Sequence, residues 1–279
     1  MRLGLIAGNG RFPFLVLEAA RGAGHDVTVI ALKDETFPDL ADVAAQPPAS
    51  PFHWIALGQL GALIRVLKDA GVTEAVMAGQ VKHTKIFDVR PDMTLLGVLM
   101  RLKAKNTDAV IAGIADKLRD EGIELRDSTA FLAPLLAREG VLTKRAPTED
   151  ERTNLDFGAR IADAIAGMDI GQTIAVKSAA VVAVEAMEGT DAMITRAGQL
   201  AGAGVCVIKV ANPNQDMRFD VPVVGVSTIH AMKAAGATTI SVDAGKTLMI
   251  DGDAIIRAAD DAGIVIVGRR VIAADPGTP

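Results

Sequence analysis

The polar stretch Glu188-Gly189-Thr190-Asp191 is the first place where this sequence could do chemistry. It follows an apolar run, 179–187, that predicts a buried strand, and it precedes a helical pattern. Gly189 permits a tight turn, Thr190 can cap the helix, and Asp191 lies where the helix dipole favours an anion. This stretch alone leaves two interpretations open, a capped helix after a strand or a substrate site.

A second polar stretch, Arg218-Phe219-Asp220-Val221-Pro222, places an acid where another apolar strand is predicted to begin. Between the two stretches, Lys209 lies inside an apolar run that predicts a buried strand. An unpaired buried charge is costly, so this lysine is expected to have a partner. A substrate phosphate is one candidate, and Glu188 or Asp191 is another.

A glycine-rich turn near the start of the chain offers a third candidate. An apolar strand, 3–7, leads into Gly8-Asn9-Gly10-Arg11-Phe12-Pro13 and then a helical stripe, which is typical of a βαβ opening. Pro13 stands where the dinucleotide fingerprint has its third glycine, so the turn departs from the NAD pattern. Another apolar strand ends in Gly79-Gln80, and ligands of open parallel sheets bind at the carboxyl ends of strands. A phosphate-handling edge and a purely structural glycine turn both remain open.

The composition favours helices packed on a sheet rich in small aliphatic residues. The chain has 279 residues, half of them hydrophobic, with no Tyr and one Trp, so its cores must be built from Ala, Val, Ile and Leu. The net charge of −5 argues against a nucleic-acid partner. The single Cys206 excludes an internal disulfide and fits a reducing cytoplasm. No uncharged apolar stretch of about 20 residues occurs, so we expect no transmembrane helix.

The order of predicted elements indicates an α/β protein with two domains. A polar stretch, 143–152, which includes Pro147 and a charge run, predicts a boundary. Residues 1–145 are expected to form a Rossmann-like parallel sheet, and residues 146–279 a mixed α/β domain that carries Asp220. In the second domain a helix is predicted at 153–167, and the next two strands are expected to form a β-hairpin.

The segment 82–105 combines cations with a run of Leu and Met. One interpretation is a helix packed on the core, with solvated ends that include His83. The alternative is a surface that faces acyl chains or a membrane, where apolar side chains meet lipid and Lys and Arg meet head groups. The pattern does not choose between them.

Several blocks together carry a family resemblance. They are the run from Gly4 to Gly10, Ala78-Gly79-Gln80-Val81, Asp169-Ile170-Gly171-Gln172, the run from Val184 to Met193, Asp220-Val221-Pro222, Gly225-Val226-Ser227-Thr228-Ile229-His230, and Ala258-Ala259-Asp260-Asp261. With them the chain resembles, nearly end to end, the UDP-2,3-diacylglucosamine pyrophosphatases of the LpxI type, which act in lipid A synthesis.

The resemblance implies metal-dependent hydrolysis of UDP-2,3-diacylglucosamine to UMP and 2,3-diacylglucosamine 1-phosphate, with Mg²⁺ as cofactor. It also implies a cytoplasmic protein with peripheral contact to the inner membrane, and it allows a homodimer. An NAD(P)-dependent Rossmann oxidoreductase and a non-catalytic nucleotide-sugar or lipid carrier remain as alternatives.

The same resemblance assigns roles to individual residues. The essential aspartate of the family falls on Asp220, and Asp220 and Asp191 can hold Mg²⁺ or orient a water molecule. The substrate-contact positions fall on Arg11, Gly79, Gln80, Gln172, Thr190, Asp191 and Lys209. The match is poor over 126–145, so no residue of that segment receives a role.

Overall fold

The computed structural model describes residues 1–81, 90–102, 107–213 and 215–271. The chain forms two compact units. The N-terminal unit comprises Met1–Leu132 together with Met217–Phe219, and the C-terminal unit comprises Ala133–Asp216 and Asp220–Pro279. The predicted α/β class is confirmed, with a parallel sheet in the first unit and a mixed sheet in the second. Among the described residues, no helix is both long and apolar enough to span a bilayer.

The N-terminal unit is an all-parallel sheet covered by helices. Its strands are β1 (Arg2–Ala7), β2 (Asp26–Leu32), β3 (Phe52–Ile55), β4 (Glu74–Ala78) and β5 (Glu124–Leu125). Its described helices are α1 (Phe12–Gly22), α2 (Asp39–Ala45), α3 (Leu60–Asp69), α4 (Met93–Arg101) and α5 (Thr107–Asp120). The strand order is β3-β2-β1-β4-β5, so the order reverses between β1 and β4. That point is where ligands bind in doubly wound folds.

Apolar spacing explains how the helices attach to this sheet. In α3, residues spaced three or four apart are buried, namely Leu60, Leu63, Ile64 and Leu67. Such a stripe faces one side of a helix, so α3 packs on the sheet as its sequence predicts.

Helix α4 packs against the core on one side and is bare on the other. Leu95 and Val98 are buried in the same core cluster as α3. On the opposite face Met93 and Met100 are 82% and 80% exposed, and Leu96 is also exposed. The core-helix interpretation is therefore confirmed for 93–101, but an apolar stripe remains on the surface. His83 and the lysines of 82–89 and 103–106 lie outside the described residues.

The C-terminal unit is built on a six-stranded mixed sheet of order β6-β13-β11-β9-β7-β8. The described strands of the unit are β6 (Gly140–Val141), β7 (Thr173–Lys177), β8 (Ala180–Val184), β9 (Cys206–Lys209), β10 (Val223–Val224), β11 (Thr239–Asp243), β12 (Leu248–Met249) and β13 (Val265–Arg269). Strands β10 and β12 pair with each other in a separate two-stranded sheet. Its α-helices are α6 (Glu149–Gly167), α7 (Thr190–Ala201), α8 (Val226–Ala235) and α9 (Asp253–Asp261). Strands β9, β11 and β13 are parallel, whereas β7 runs antiparallel to both β8 and β9.

The predicted hairpin is confirmed at β7 and β8. Ser178 and Ala179 connect the strands with φ of 51° and 54°. Positive φ at both central residues is the signature of a type I′ turn, whose twist matches that of the flanking strands.

Three predicted helix starts are wrong. Helix α6 begins at Glu149, four residues before the predicted start, because Thr148 and Glu151 form a capping box. Helix α7 is capped by Gly189, so Thr190 is its first residue and not its cap. The hydroxyl residues Ser227 and Thr228 predict a cap for a helix at 229–235, but helix α8 begins at Val226 after the cap Gly225, so both lie inside the helix.

Candidate active site

The N-terminal edge comprises the turn after β1 and the two residues after β4, and it lies where the strand order reverses. The Gly8 N–H donates to the Ala78 carbonyl oxygen at 2.8 Å. Asn9 and Gln80 then exchange two main-chain hydrogen bonds, with N···O distances of 2.7 and 3.1 Å. The structure thus joins the glycine-rich turn directly to Gly79 and Gln80, as the sequence predicts for a shared edge.

Glycine is required at this edge because two backbones meet there. A Cβ atom on Gly79 would lie 2.5 Å from the Asn9 carbonyl oxygen, and one on Gly8 would lie 2.7 Å from the Gln80 carbonyl oxygen. Gly79 also has φ of +91°, a conformation that other residues rarely adopt. Close backbone approach accounts for these two glycines independently of any dinucleotide.

Helix α1 presents its first turn to the same edge. Arg11 is the N-cap and is exposed, and no side chain caps the helix. The Arg11 side chain makes no hydrogen bond or ion pair with a described residue. Pro13 lies in the first turn and is buried, where its missing N–H costs nothing. The first turn of α1 therefore offers the positive end of a helix, which favours anions, next to the exposed Arg11 side chain.

Ser128 is a residue of this unit that the sequence did not single out. Its hydroxyl oxygen lies 2.6 Å from the carbonyl oxygen of Met77, in β4, and 2.7 Å from that of Arg218. The Ser128 N–H donates to the Met217 carbonyl oxygen at 2.8 Å. Ser128 thereby holds the segment Met217–Phe219, which directly precedes Asp220. A buried serine after a short strand carries no motif, so pattern alone could not have identified it.

The C-terminal cluster is the group of polar residues Gln172, Thr173, Glu185, Thr190, Lys209 and Asp220. It begins with a row of polar residues across three strands. Thr173 in β7 lies opposite Lys209 in β9. On its other side, the Glu185 N–H donates to the Thr173 carbonyl oxygen at 2.8 Å, one residue beyond the end of β8. Residues opposite each other in antiparallel strands point to the same face. The first turn of α7 approaches this face through Thr190.

Lys209 is a buried cation without a carboxylate partner among the described residues. It is 7% exposed, and its Nζ donates to Thr190 Oγ1 at 2.7 Å and contacts Thr173 Oγ1 at 3.4 Å. The predicted partnership with Glu188 or Asp191 is wrong, because Glu188 pairs with Arg196 at 2.5 Å and Asp191 makes no ion pair with a described residue. Burial of an ammonium group needs compensation, so this position favours a bound anion.

Asp220 and Gln172, both predicted from the sequence, are brought together. Gln172 Nε2 lies 3.1 and 3.2 Å from the two carboxylate oxygens of Asp220. The Gln172 carbonyl oxygen accepts from the Val210 N–H at 2.8 Å, which places Gln172 beside the end of the strand that carries Lys209. The Asp220 N–H donates to the Asp216 carbonyl oxygen at 2.9 Å. The carboxylate is therefore held in one orientation and is half-buried.

A cation held by Asp191 and Asp220 would need further ligands from a substrate or from water. The described residues contain no group of three or more His, Cys, Asp or Glu side chains that could hold a metal. Asp191 lies in the first turn of α7, and no described residue donates a hydrogen bond to its carboxylate. Mg²⁺ is commonly bound by one or two carboxylates together with substrate phosphates and water.

Comparison with known proteins assigns the chain to a family. The profile of the LpxI N-terminal domain matches residues 2–135, and that of the LpxI C-terminal domain matches residues 138–267. A protein of Caulobacter vibrioides named UDP-2,3-diacylglucosamine pyrophosphatase LpxI is 32% identical over an alignment of 279 positions. The alignment covers 96% of this chain and 97% of the relative. Both halves of the fold and nearly its full length are thus accounted for, and the chain belongs to the LpxI family.

Proposed function

We propose that this protein hydrolyses the pyrophosphate bond of UDP-2,3-diacylglucosamine and releases UMP and 2,3-diacylglucosamine 1-phosphate in lipid A synthesis. The observation that carries the proposal is Lys209, a buried ammonium group without a carboxylate partner among the described residues. It contacts Thr190 in the first turn of α7, and Gln172, which contacts the Asp220 carboxylate, lies beside the end of its strand. The name of the Caulobacter relative supports the choice of substrate.

The reaction adds water across the P–O–P bridge. The water oxygen joins one phosphorus, the bond from that phosphorus to the bridging oxygen breaks, and the other phosphate leaves with that oxygen. Lys209 and the first N–H groups of α7 neutralise charge on the phosphate oxygens. Asp220 orients the water and accepts its proton, and Gln172 keeps both carboxylate oxygens in place.

Asp220 and Asp191 would hold the divalent cation. When bound, Mg²⁺ supplies further neutralisation of the non-bridging phosphate oxygens. At the N-terminal edge, the main-chain N–H groups of Gly10 and Gly79 can receive uridine or phosphate oxygens.

The substrate carries two acyl chains, and the stripe on α4 is suited to lipid. Met93, Leu96 and Met100 are exposed on one helix face, with Arg90 and Arg101 exposed at its two ends. Apolar side chains between cations favour the interface of an anionic membrane. We therefore propose weak, salt-sensitive, peripheral contact with the cytoplasmic face of the inner membrane through this stripe.

The decisive experiment incubates the purified protein with UDP-2,3-diacylglucosamine and follows UMP directly. We expect UMP release that stops with EDTA and returns with Mg²⁺. Tight binding of the lipid nucleotide without any UMP would contradict hydrolysis and support the carrier alternative. A change in nicotinamide absorbance with NAD(P)H would support the oxidoreductase instead.

A further inference from the structure

Glu185 is a buried acid in the C-terminal cluster that the proposed reaction does not use. It is 9% exposed. Its Oε1 accepts a hydrogen bond from the Thr190 hydroxyl at 2.9 Å, whereas its Oε2 is buried with no hydrogen-bond partner among the described residues. A half-satisfied buried carboxylate destabilises a fold. An acid in such a place calls for a reason other than stability.

The contacts of Thr190 connect this acid to the buried lysine. The Thr190 hydroxyl has one proton, which it donates to Glu185, and its oxygen accepts from Lys209 Nζ at 2.7 Å. The three side chains form one chain of hydrogen bonds, Lys209 to Thr190 to Glu185, here called the hydroxyl relay. Such chains polarise each member, and a charge at each end orients the hydroxyl between them.

The backbone around Glu185 is fixed, so the relay has a defined anchor. The Glu185 N–H donates to Thr173, and Gly171 packs so closely on the Glu185 carbonyl that a Cβ there would overlap it. Glu188, three residues later, makes none of these contacts and pairs with Arg196 at the surface.

We propose that Glu185 is a positioning residue for the phosphate-binding lysine. By accepting the Thr190 proton, it turns the hydroxyl oxygen towards Lys209 and holds the ammonium group where a nucleoside diphosphate presents its phosphate oxygens. This inference rests on the proposed function, since it assigns Lys209 to the substrate. It adds Glu185 to the residues that set the position of Lys209.

The test compares Glu185→Ala, Glu185→Gln and the control Glu188→Gln. Calorimetry with UDP measures affinity, UMP release measures turnover, and thermal melting measures stability. Without an acceptor, the Thr190 hydroxyl turns away from Lys209, so Glu185→Ala should weaken UDP binding about tenfold, the effect of one lost hydrogen bond. Glu185→Gln retains an acceptor oxygen and should stay within about threefold of wild type, as should Glu188→Gln.

The melting temperature separates positioning from structure. Glu185→Ala removes a half-satisfied buried charge, so its melting temperature should equal or exceed that of wild type while UDP binding falls. A parallel loss of stability and binding, or unchanged binding in Glu185→Ala, would overturn the proposal.

A second pair of variants decides the matter even if Glu185→Ala folds poorly. Thr190→Val breaks the relay and should weaken UDP binding, whereas Thr190→Ser should restore it. Adding Glu185→Ala to Thr190→Val should cost nothing more, because both act through one path. Additive losses would refute the relay. Absence of UMP release by the wild type would reject the proposed hydrolysis. The UDP affinities would still test whether Glu185 positions Lys209.

Discussion

The N-terminal edge and the C-terminal cluster are built from different parts of the polypeptide. At the N-terminal edge, main-chain groups of Asn9 and Gln80 bond to each other, and glycines allow them to meet. In the C-terminal cluster the hydrogen bonds join side chains, namely Lys209 to Thr190 and Gln172 to Asp220.

The two regions should therefore tolerate different mutations. A site made of backbone is insensitive to the loss of a side chain but has no room for an added Cβ. A site made of side chains responds to each truncation.

The largest effect is expected in the C-terminal cluster for Asp220→Ala. Loss of the group that orients water and takes its proton should lower the rate of UMP release by about 100-fold or more. UDP affinity and the melting temperature should stay close to wild type, because the carboxylate is only half-buried. Near-normal turnover would remove Asp220 from the mechanism.

The matching test of the N-terminal edge is Gly79→Ala. Both positive φ and a Cβ 2.5 Å from the Asn9 carbonyl oxygen oppose alanine there, so we expect a loss of about 3 kcal/mol in the free energy of unfolding. The control Gly122→Ala shares a positive φ, +83°, but has open space and should cost about 1 kcal/mol. Denaturant unfolding measures both, and equal losses would show that close approach is unimportant.

Lys209→Met sharpens the contrast by removing a charge while retaining most of the length. Affinity for UDP should fall roughly 10- to 100-fold, the range for hydrogen bonds to a charged group. The melting temperature should hold or rise, since a buried cation without a carboxylate partner among the described residues is gone. If binding is unchanged and stability drops, Lys209 is a structural residue.

The pH dependence of stability offers another comparison, between an acid of the C-terminal unit, Glu151, and one of the N-terminal unit, Glu121. Burial alone would raise the pKa of Glu151, but hydrogen bonds from the Arg145 guanidinium and the Thr148 N–H lower it to about 2. A lowered folded-state pKa stabilises above the unfolded value of 4.5, and that contribution disappears as pH falls towards 2.

Glu151→Gln should therefore lose about 2 kcal/mol at pH 7, with little difference from wild type near pH 2. The control in the N-terminal unit is Glu121→Gln. The pKa of Glu121 is also lowered to about 2, by hydrogen bonds from Lys117 and Lys68, but these pairs are solvent-exposed. Its loss should be smaller. Chemical denaturation at several pH values measures both.

The smallest effect is expected for Arg11→Ala. The side chain is exposed without a bond to a described residue, so turnover and UDP affinity should change less than about threefold. A large loss in either quantity would show that the N-terminal edge acts through a side chain after all.

Sequence patterns were informative wherever local chemistry decides the structure. Apolar runs located the strands, and glycine after β1 and β4 located the edge, because both follow from backbone geometry. Glycine caps at Gly189 and Gly225 were missed because nearby hydroxyl residues suggested the usual cap. Glu185 and Ser128 were missed because their partners lie in other strands or segments, and a single sequence does not record such pairings. The predicted roles of Asp220 and the other site residues stay predictions.

The way in which the chain is divided between the two units limits how they can be separated. Because Met217–Phe219 belongs to the N-terminal unit, the polypeptide changes unit at 132, 216 and 219. A fragment that begins at 133 would contain Asp220 but leave the carbonyl groups of Met217 and Arg218 without Ser128. Recombination at a single crossover therefore cannot exchange either half intact, and the two units are expected to be inherited and expressed together.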